Sequence, residues 1–572
     1  MTRSAAIAAA LLVGIASACG WKGETPPAPA DMVLRGGRIL TLDDRMPEAQ
    51  ALAARAGRIV AVGSEADVAA FIGPSTQVIE TAGLFAMPGF IEGHGHFAGI
   101  GENRVDLDLK GTTSWEEILR LVAGAGKAAK AGQWIAARGW HQERWNARPV
   151  PHVEGFPTHQ SLDEVSPDNP VVLTHASGHA AFVNARAMAL SDITRATANL
   201  SGGEIVKDSR GAPTGLLRET AASLVRRGAG EAPPTAEEAE ARAQRVLALA
   251  EREVLSKGIT TFQDAGAPFE AIDRMKRMID DARLRVRLWV MVRESNASLV
   301  TGLARVRVVG YGDHRLTVRA IKLQMDGALG SRGAWLLEPY TDQPDSLGLN
   351  TTPVASVKET AQIAIDHDVQ LAVHAIGDRA NREALDTFQD AFTRNGTDGR
   401  ALRWRVEHAQ HLAAADIPRF GRLGVIASMQ ALHATSDAVF VPARLGDARA
   451  EEGAYVWQKL MRSGALVSNG TDAPVEDVDP LLNYYAAVTR KTSDGRVFYG
   501  DQRMGRLEAL RSYTTWNAFA AFEDHLKGTL EVGKLADVTV LTKDITAVPE
   551  AEIPQARVVY TIVGGKVAYK AP

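Results

Sequence analysis

The residues with the clearest chemical potential are His94-Gly95-His96, which follow the apolar run Phe85-Ala86-Met87-Pro88-Gly89-Phe90-Ile91. Alternate residues of a strand point to the same side, so two imidazoles at this spacing can hold one metal ion from a strand end. Taken alone, the pair reads equally well as a surface turn. Further candidates stand at the ends of later apolar runs: Lys322 in Ala320–Met325, His374 closing Gln370–His374, His408 closing Trp404–His408, and Asp472 closing Ala465–Asp472. Each has an ordinary structural reading, as a carbonyl-bonded core histidine, a salt-bridged lysine or a turn-forming aspartate. Together those readings require repeated coincidence at the same end of successive runs, and a shared metal site is the simpler account.

The elements that must position these groups follow from the same runs. Ile259–Asp264, Leu288–Val292, Ala320–Met325, Gln370–His374, Trp404–His408, Val425–Met429 and Ala465–Asp472 alternate with helical stretches. With the strand ending at His94 they number about eight, which predicts an α/β fold of the TIM (β/α)8 type with its site at the C-terminal strand ends. Short β signals at Val33–Leu40, Arg58–Val62, Ala536–Leu541 and Val558–Val567 predict a flanking β-sandwich built from residues 31–84 and 525–572. The barrel then takes residues 85–524. The stretch 97–252 is too long for a connecting loop and is expected to contain an inserted subdomain roofing the barrel mouth, with strands at Trp134–Trp140 and Pro170–His175 and a helix over Trp115–Ala131.

Composition excludes several classes. The chain has 572 residues, 45% of them hydrophobic, and a net charge of -4. Lys and Arg are scattered among acidic residues with no basic stripe, which argues against nucleic acid as a partner. The N-terminus reads as a secretory signal over residues 1–19: Met1-Thr2-Arg3, the apolar stretch Ala5–Ala18, then Cys19 after Ala16-Ser17-Ala18. That placement resembles a bacterial lipobox with Cys19 as the lipid attachment site, although Ala16 replaces the usual Leu, and plain cleavage after Ala18 is the alternative. Residues 20–30 read as a solvated tether. The expected location is the periplasmic side of the cell envelope, with the membrane touched only through the anchor. Cys19 is the single cysteine, so neither an internal disulfide nor a thiolate metal ligand is expected elsewhere.

Pro88-Gly89-Phe90-Ile91-Glu92-Gly93-His94-Gly95-His96, with His374, His408 and Asp472, resembles the metal-dependent amidohydrolase superfamily. More narrowly the chain is similar to amidohydrolase family 3, the branch containing N-substituted formamide deformylases. The phrases that carry this are Asp326-Gly-Ala-Leu-Gly-Ser-Arg332, Arg405-Val-Glu-His-Ala-Gln410, Ser428-Met-Gln-Ala-Leu-His433, Thr471-Asp-Ala-Pro-Val-Glu476 and Gly533-Lys-Leu-Ala-Asp537, and the similarity runs from Asp31 to Lys570.

The resemblance implies roles. His94 and His96 match the first-strand metal pair, His374 and His408 the fifth- and sixth-strand ligands, and Asp472 the eighth-strand carboxylate that serves as ligand and general base. Lys322 matches a position where many members carry a carboxylated lysine bridging two metals; a plain Lys322 implies one metal. In the insertion, His179 is expected to polarise the substrate carbonyl or hold the leaving group, with a structural histidine as the alternative. His433, Trp140 and Trp335 are expected near the substrate; the tryptophans read equally as core. Imidazole and carboxylate ligands suit zinc, one ion or two, with iron or manganese as alternatives. The expected reaction is hydrolysis of a small-molecule amide, an N-formyl or N-acyl amine, by metal-activated water. Ester, lactone or cyclic amide hydrolysis at the same site is the runner-up, and a non-catalytic metabolite-binding lipoprotein is a third reading. Exposed β units often pair in this superfamily, which leaves a homodimer open. His141, His159, Ala431 and Thr471 depart from the family pattern; none is a proposed ligand, and all but Thr471 lie where a bound molecule is expected to be read.

Overall fold

The computed structural model describes residues 27–572. The signal segment, Cys19 and most of the tether lie outside the described residues. Among those described, no helix is long and apolar enough to cross a membrane.

Eight strands pair in one continuous parallel order: β1 (Phe90–Gly95), β2 (Ile259–Ala267), β3 (Arg287–Val292), β4 (Leu316–Gln324), β5 (Gln370–Ala375), β6 (Arg405–His408), β7 (Ile426–Met429) and β8 (Val467–Asn469). Their composition explains the pairing. Strands covered on both faces read as near-continuous apolar runs, and every residue of β1, β3 and β5 is buried. The ends of the order, β8 and β1, are joined by side-chain and loop contacts. Asn517 Nδ2 donates to the carbonyls of Ile91 and Asn469, both at 2.7 Å. Beyond the strands, Asp472 N–H donates to His94 O and His96 N–H to Ala473 O, again at 2.7 Å. The TIM barrel expected from the sequence is therefore present, and its seam lies beside the candidate ligands.

The barrel interior has two unlike halves. On the side of β2 to β5 it holds an apolar cluster of Ala265, Trp289, Met291, Ala320 and Ala372 closed by Ala521, with Gln263 of β2 facing the polar side. Below β6, β7, β8 and β1 it is hydrogen-bonded. Arg405, wholly buried, donates to Glu407 Oε1 (2.7 Å), Gln263 Oε1 (2.6 Å), the carbonyl of Gly93 (2.8 Å) and Ser428 Oγ (3.1 Å). Gln263 passes the chain on to the carbonyl of Asn517 at 2.9 Å.

Both chain ends build the flanking sheet, as expected. Its eight strands run in the order Lys566–Lys570, Val558–Val563, Val538–Leu541, Phe85–Pro88, Met32–Asp43, Met46–Arg55, Arg58–Gly63, with Gln77–Glu80 also on Met32–Asp43. Phe85–Pro88 pairs antiparallel with Val538–Leu541. The apolar run before His94 is thus two strands, one in each sheet, and the barrel starts at Phe90.

The insertion folds around its own six-stranded sheet, which includes Ile135–Trp140 and Val171–His175 as expected. Its helix, Trp115–Ala128, is capped by Ser114 and ends where Ala129 turns extended, ahead of Gly132. Trp115, Trp140, Phe156 and Phe182 form its aromatic core. The helix Ala236–Ser256 belongs to the barrel instead: Leu247, Ala250, Val254 and Leu255 pack into the barrel's outer core.

Candidate active site

The strand ends bring His94, His96, His408 and Asp472 together. Asp472 Oδ1 lies 3.2 Å from His96 Nε2 and 3.5 Å from His94 Nε2. Two sets of ligand atoms lie within 4.8 Å of one another: His94, His96 and Asp472, and His408, His433 and Asp472. Asp472 is common to both. Residues His408 and Asp472 reach these positions through backbone φ of +75° and +54°, left-handed values that non-glycine residues adopt seldom and mostly where structure elsewhere enforces them.

The tautomers can be read from the outer hydrogen bonds. His94 Nδ1 is bonded to Glu407 Oε2, and Glu407 is held by Arg405. Burial pushes the His94 imidazole down to about 4, so it is neutral at physiological pH. With its proton on Nδ1, its Nε2 lone pair faces the Asp472 carboxylate. Both His94 Nε2 and Asp472 Oδ1 are buried with no hydrogen-bond partner. A lone pair aimed at an anionic oxygen is repulsive unless a cation lies between them, and a buried polar atom without a partner is costly. His408 follows the same plan, its Nδ1 donating to Gln430 Oε1 at 2.8 Å. An outer acceptor that fixes the tautomer and aims the free nitrogen is the usual arrangement around a metal-binding histidine. The donor set therefore fits a divalent cation.

His433 differs. Its Nδ1 accepts from Gln410 Nε2 at 3.1 Å, which leaves the proton on the buried, unpartnered Nε2. It offers a donor where its neighbours offer lone pairs. His374 lies edge-on to His408 (4.4 Å between ring centres) and tilted against His179 (5.0 Å), and its Nε2 lies 3.5 Å from Asp326 Oδ1. Asp326 is fixed by the N–H groups of Trp335, Ile376 and Gly377. Lys322 is buried, and among the described residues its amine makes no hydrogen bond or ion pair; burial, partly offset by Glu407 and Asp472, brings it down to about 8.

A chamber of about 680 Å³, including its mouth, opens beside these groups. His179, His408, His433 and Asp472 line it, together with His141, Phe440 and the carboxylates Glu143, Asp437 and Glu476. The expected tryptophans are not on its wall. Trp140 is buried in the insertion core, where its Nε1 donates to Leu173 O at 2.9 Å and its ring stacks on Trp145. Trp335 carries the guanidinium of Arg379 on its ring, 5.2 Å from the centre. Aromatic residues serve cores and pockets equally well, so their type alone did not separate the two. Of the departures from the family pattern, His141 lines the chamber, stacked on Phe440. His159 instead bonds Asp163 within the insertion at 2.6 Å. The sequence reading missed Glu407, Gln430, Gln410 and Glu219. Only Glu407 carried a local signal: it shares an inward strand face with Arg405 and adjoins His408.

A parallel eight-stranded barrel with imidazoles and a carboxylate converging at the C-terminal strand ends defines a metal-dependent hydrolase. The chain belongs to the Amidohydrolase family, whose model matches residues 77–569. It is 33% identical to the protein LONG AFTER FAR-RED 3 of Arabidopsis thaliana, over 96% of this chain and 93% of that one. It is 27% identical to the N-substituted formamide deformylase of Arthrobacter pascens, over 94% and 98%. Among solved structures, a metal-dependent hydrolase from Pyrococcus horikoshii superposes with a TM-score of 0.71 at 25% identity, covering 91% of this chain and 99% of that one.

Proposed function

We propose that this protein hydrolyses a non-peptide carbon–nitrogen bond in a small N-formyl or N-acyl amine. The observation that carries the reading is the buried Asp472 Oδ1 set against the Nε2 lone pair of His94 and within reach of His96 and His408. His94, His96, His374, His408 and Asp472 would hold the metal, zinc by donor type with iron or manganese as alternatives. Such an ion, when bound, supplies Lewis acidity that polarises a carbonyl and makes water a nucleophile at neutral pH.

The chain's own residues do the rest. Burial alone would raise the Asp472 carboxyl, but His96, 3.2 Å from Oδ1, outweighs it and holds the group well below the usual range, so it is ionised. It takes a proton from the attacking water and passes it to the departing nitrogen, which a poor leaving group requires. His433 donates through Nε2–H and His179 as an imidazolium, a charge that burial opposes and Glu219 favours more strongly; both line the chamber and serve the oxygen where negative charge develops. Likeness over nearly full length to an N-substituted formamide deformylase supports formamides as the first substrates to try. Burial brings Lys322 down to about 8, nearer the neutral amine that carboxylation requires, which supports a carboxylated lysine and a second ion.

The test is turnover of a panel of N-formyl and N-acyl amines by the wild type and by Asp472→Ala, alongside elemental analysis and intact mass. Asp472→Ala should abolish turnover while the thermal transition is retained. Undiminished hydrolysis by the variant overturns the mechanism.

A further inference from the structure

His179 and its neighbour Glu219 both lie in the insertion, yet the carboxylate of Glu219 is enclosed by the barrel. Glu219 ends the strand Pro213–Glu219, its N–H donates to His179 O at 2.9 Å, and its Oε2 lies 2.7 Å from His179 Nδ1. Its side chain is wholly buried, and its backbone takes φ +49°, where residues other than glycine are uncommon. The other oxygen, Oε1, enters the barrel loop that follows β4. A Cβ built on Gly327 or on Gly333 would stand 2.0 Å from that atom, so neither position can carry a side chain while Glu219 is in place. These glycines bracket the segment Ala328–Arg332. The loop is closed on itself, with Gly327 N–H donating to Gly333 O at 3.1 Å and Gly333 N–H to Ala328 O at 2.9 Å. It is anchored below by Asp326.

We infer that Glu219 is the positioning residue for His179, and that the paired glycines form a socket for its carboxylate which aligns the insertion with the metal-binding strand ends. This role of Glu219 rests on the proposed role of His179 toward the substrate oxygen. Glu219 takes up His179 Nδ1, which leaves Nε2 as the nitrogen available to the chamber that His179 lines. On the barrel side the carboxylate is enclosed by the two glycines without a hydrogen bond to Oε1, so close packing against the loop keeps the ring 5.0 Å from His374. A hinge-like shift of the roof would have to withdraw Glu219 from its socket. This accounts for glycine at positions 327 and 333: they leave room for a carboxylate supplied by another part of the chain.

The experiment uses the metal-loaded full chain and N-formyl amine substrates, with kcat, KM, metal content and thermal transition measured together. His179→Ala and Glu219→Gln should each lower kcat by about 100-fold with KM and metal content held. Glu219→Asp, which keeps the charge but shortens the reach, should recover only part of the loss. The double variant should be no slower than His179→Ala alone, because residues acting as one unit are not additive. Gly327→Ala, which displaces the carboxylate without touching it chemically, should reproduce the Glu219→Gln defect. Wild-type kcat in Glu219→Gln beside an impaired His179→Ala overturns this inference and leaves the hydrolytic reading standing. An unimpaired His179→Ala overturns both the inference and the role given to His179. Additive losses, or a Glu219→Gln defect that follows metal content, show a merely structural residue and overturn the inference as well.

Discussion

The two halves of the barrel interior perform different tasks beneath one site. Under β2 to β5, Trp289, Met291 and three alanines fill space, and the lysine above them, Lys322, is left without a fixed partner. Under β6, β7, β8 and β1, Arg405 and Glu407 tie strands together through directional bonds, and the histidine above them, His94, has its tautomer and orientation set. Apolar packing supplies stability without direction, whereas hydrogen-bonded charge supplies direction at a desolvation cost. His94 and His408, the ligands whose outer hydrogen bonds set their aim, stand over the half that can provide it.

Four changes test that contrast. The largest effect is expected from Arg405→Met, which leaves Glu407 buried without its cation. The loss should be about 4 kcal/mol in the denaturant midpoint of the metal-free protein. A midpoint near wild type would show that the polar half is not an interdependent network. Met291→Ala in the apolar half should cost about 3 kcal/mol by cavity formation. Metal affinity should stay at the wild-type value, since Met291 belongs to the apolar cluster and not to the residues that bond His94 or His408; a large affinity loss would erase the distinction.

Acid is the third probe. The ordinary value for His94, 6.5, is brought by burial to about 4 in the folded chain. Between these values the unfolded chain binds a proton that the folded chain refuses. This contribution to stability is therefore complete above pH 6.5 and is lost as pH falls toward 4, on the order of 3 kcal/mol at most. Thermal transitions of chelated protein at pH 7.5 and 5 should show it, and the difference should shrink in His94→Gln. The smallest effect belongs to Glu407→Gln, which keeps the shape and weakens the hold on His94. Metal affinity should fall about 10- to 100-fold while the protein stays folded, as read by competition with a chelator. Unchanged affinity would reduce Glu407 to a stabilising partner of Arg405.

Much of this was legible in the sequence, and the limits have physical causes. The barrel strands showed as apolar runs, and His94, His96, His408 and Asp472 were visible because chemistry at strand ends follows a period of two. The break at Gly89 was hidden, since two buried strands in succession look like one longer run. Glu219 could not be found because its meaning comes from glycines more than a hundred residues away, and its own neighbourhood, Leu-Leu-Arg-Glu-Thr, is unremarkable. Trp140 shows the converse, a residue of suggestive type whose burial decides its role.

The seam between β8 and β1 has a consequence in time. Asn517 donates to Ile91 across 426 residues of chain, and Asp472 meets His94 at the same closure. Contacts so distant in sequence form late, because the loop they close must first be organised. During synthesis His94 and His96 emerge early and remain a bare pair until the last part of the chain arrives. A nascent chain therefore has no complete binding site, and selective uptake of the metal becomes a final step of maturation, at which the finished barrel accepts its ion.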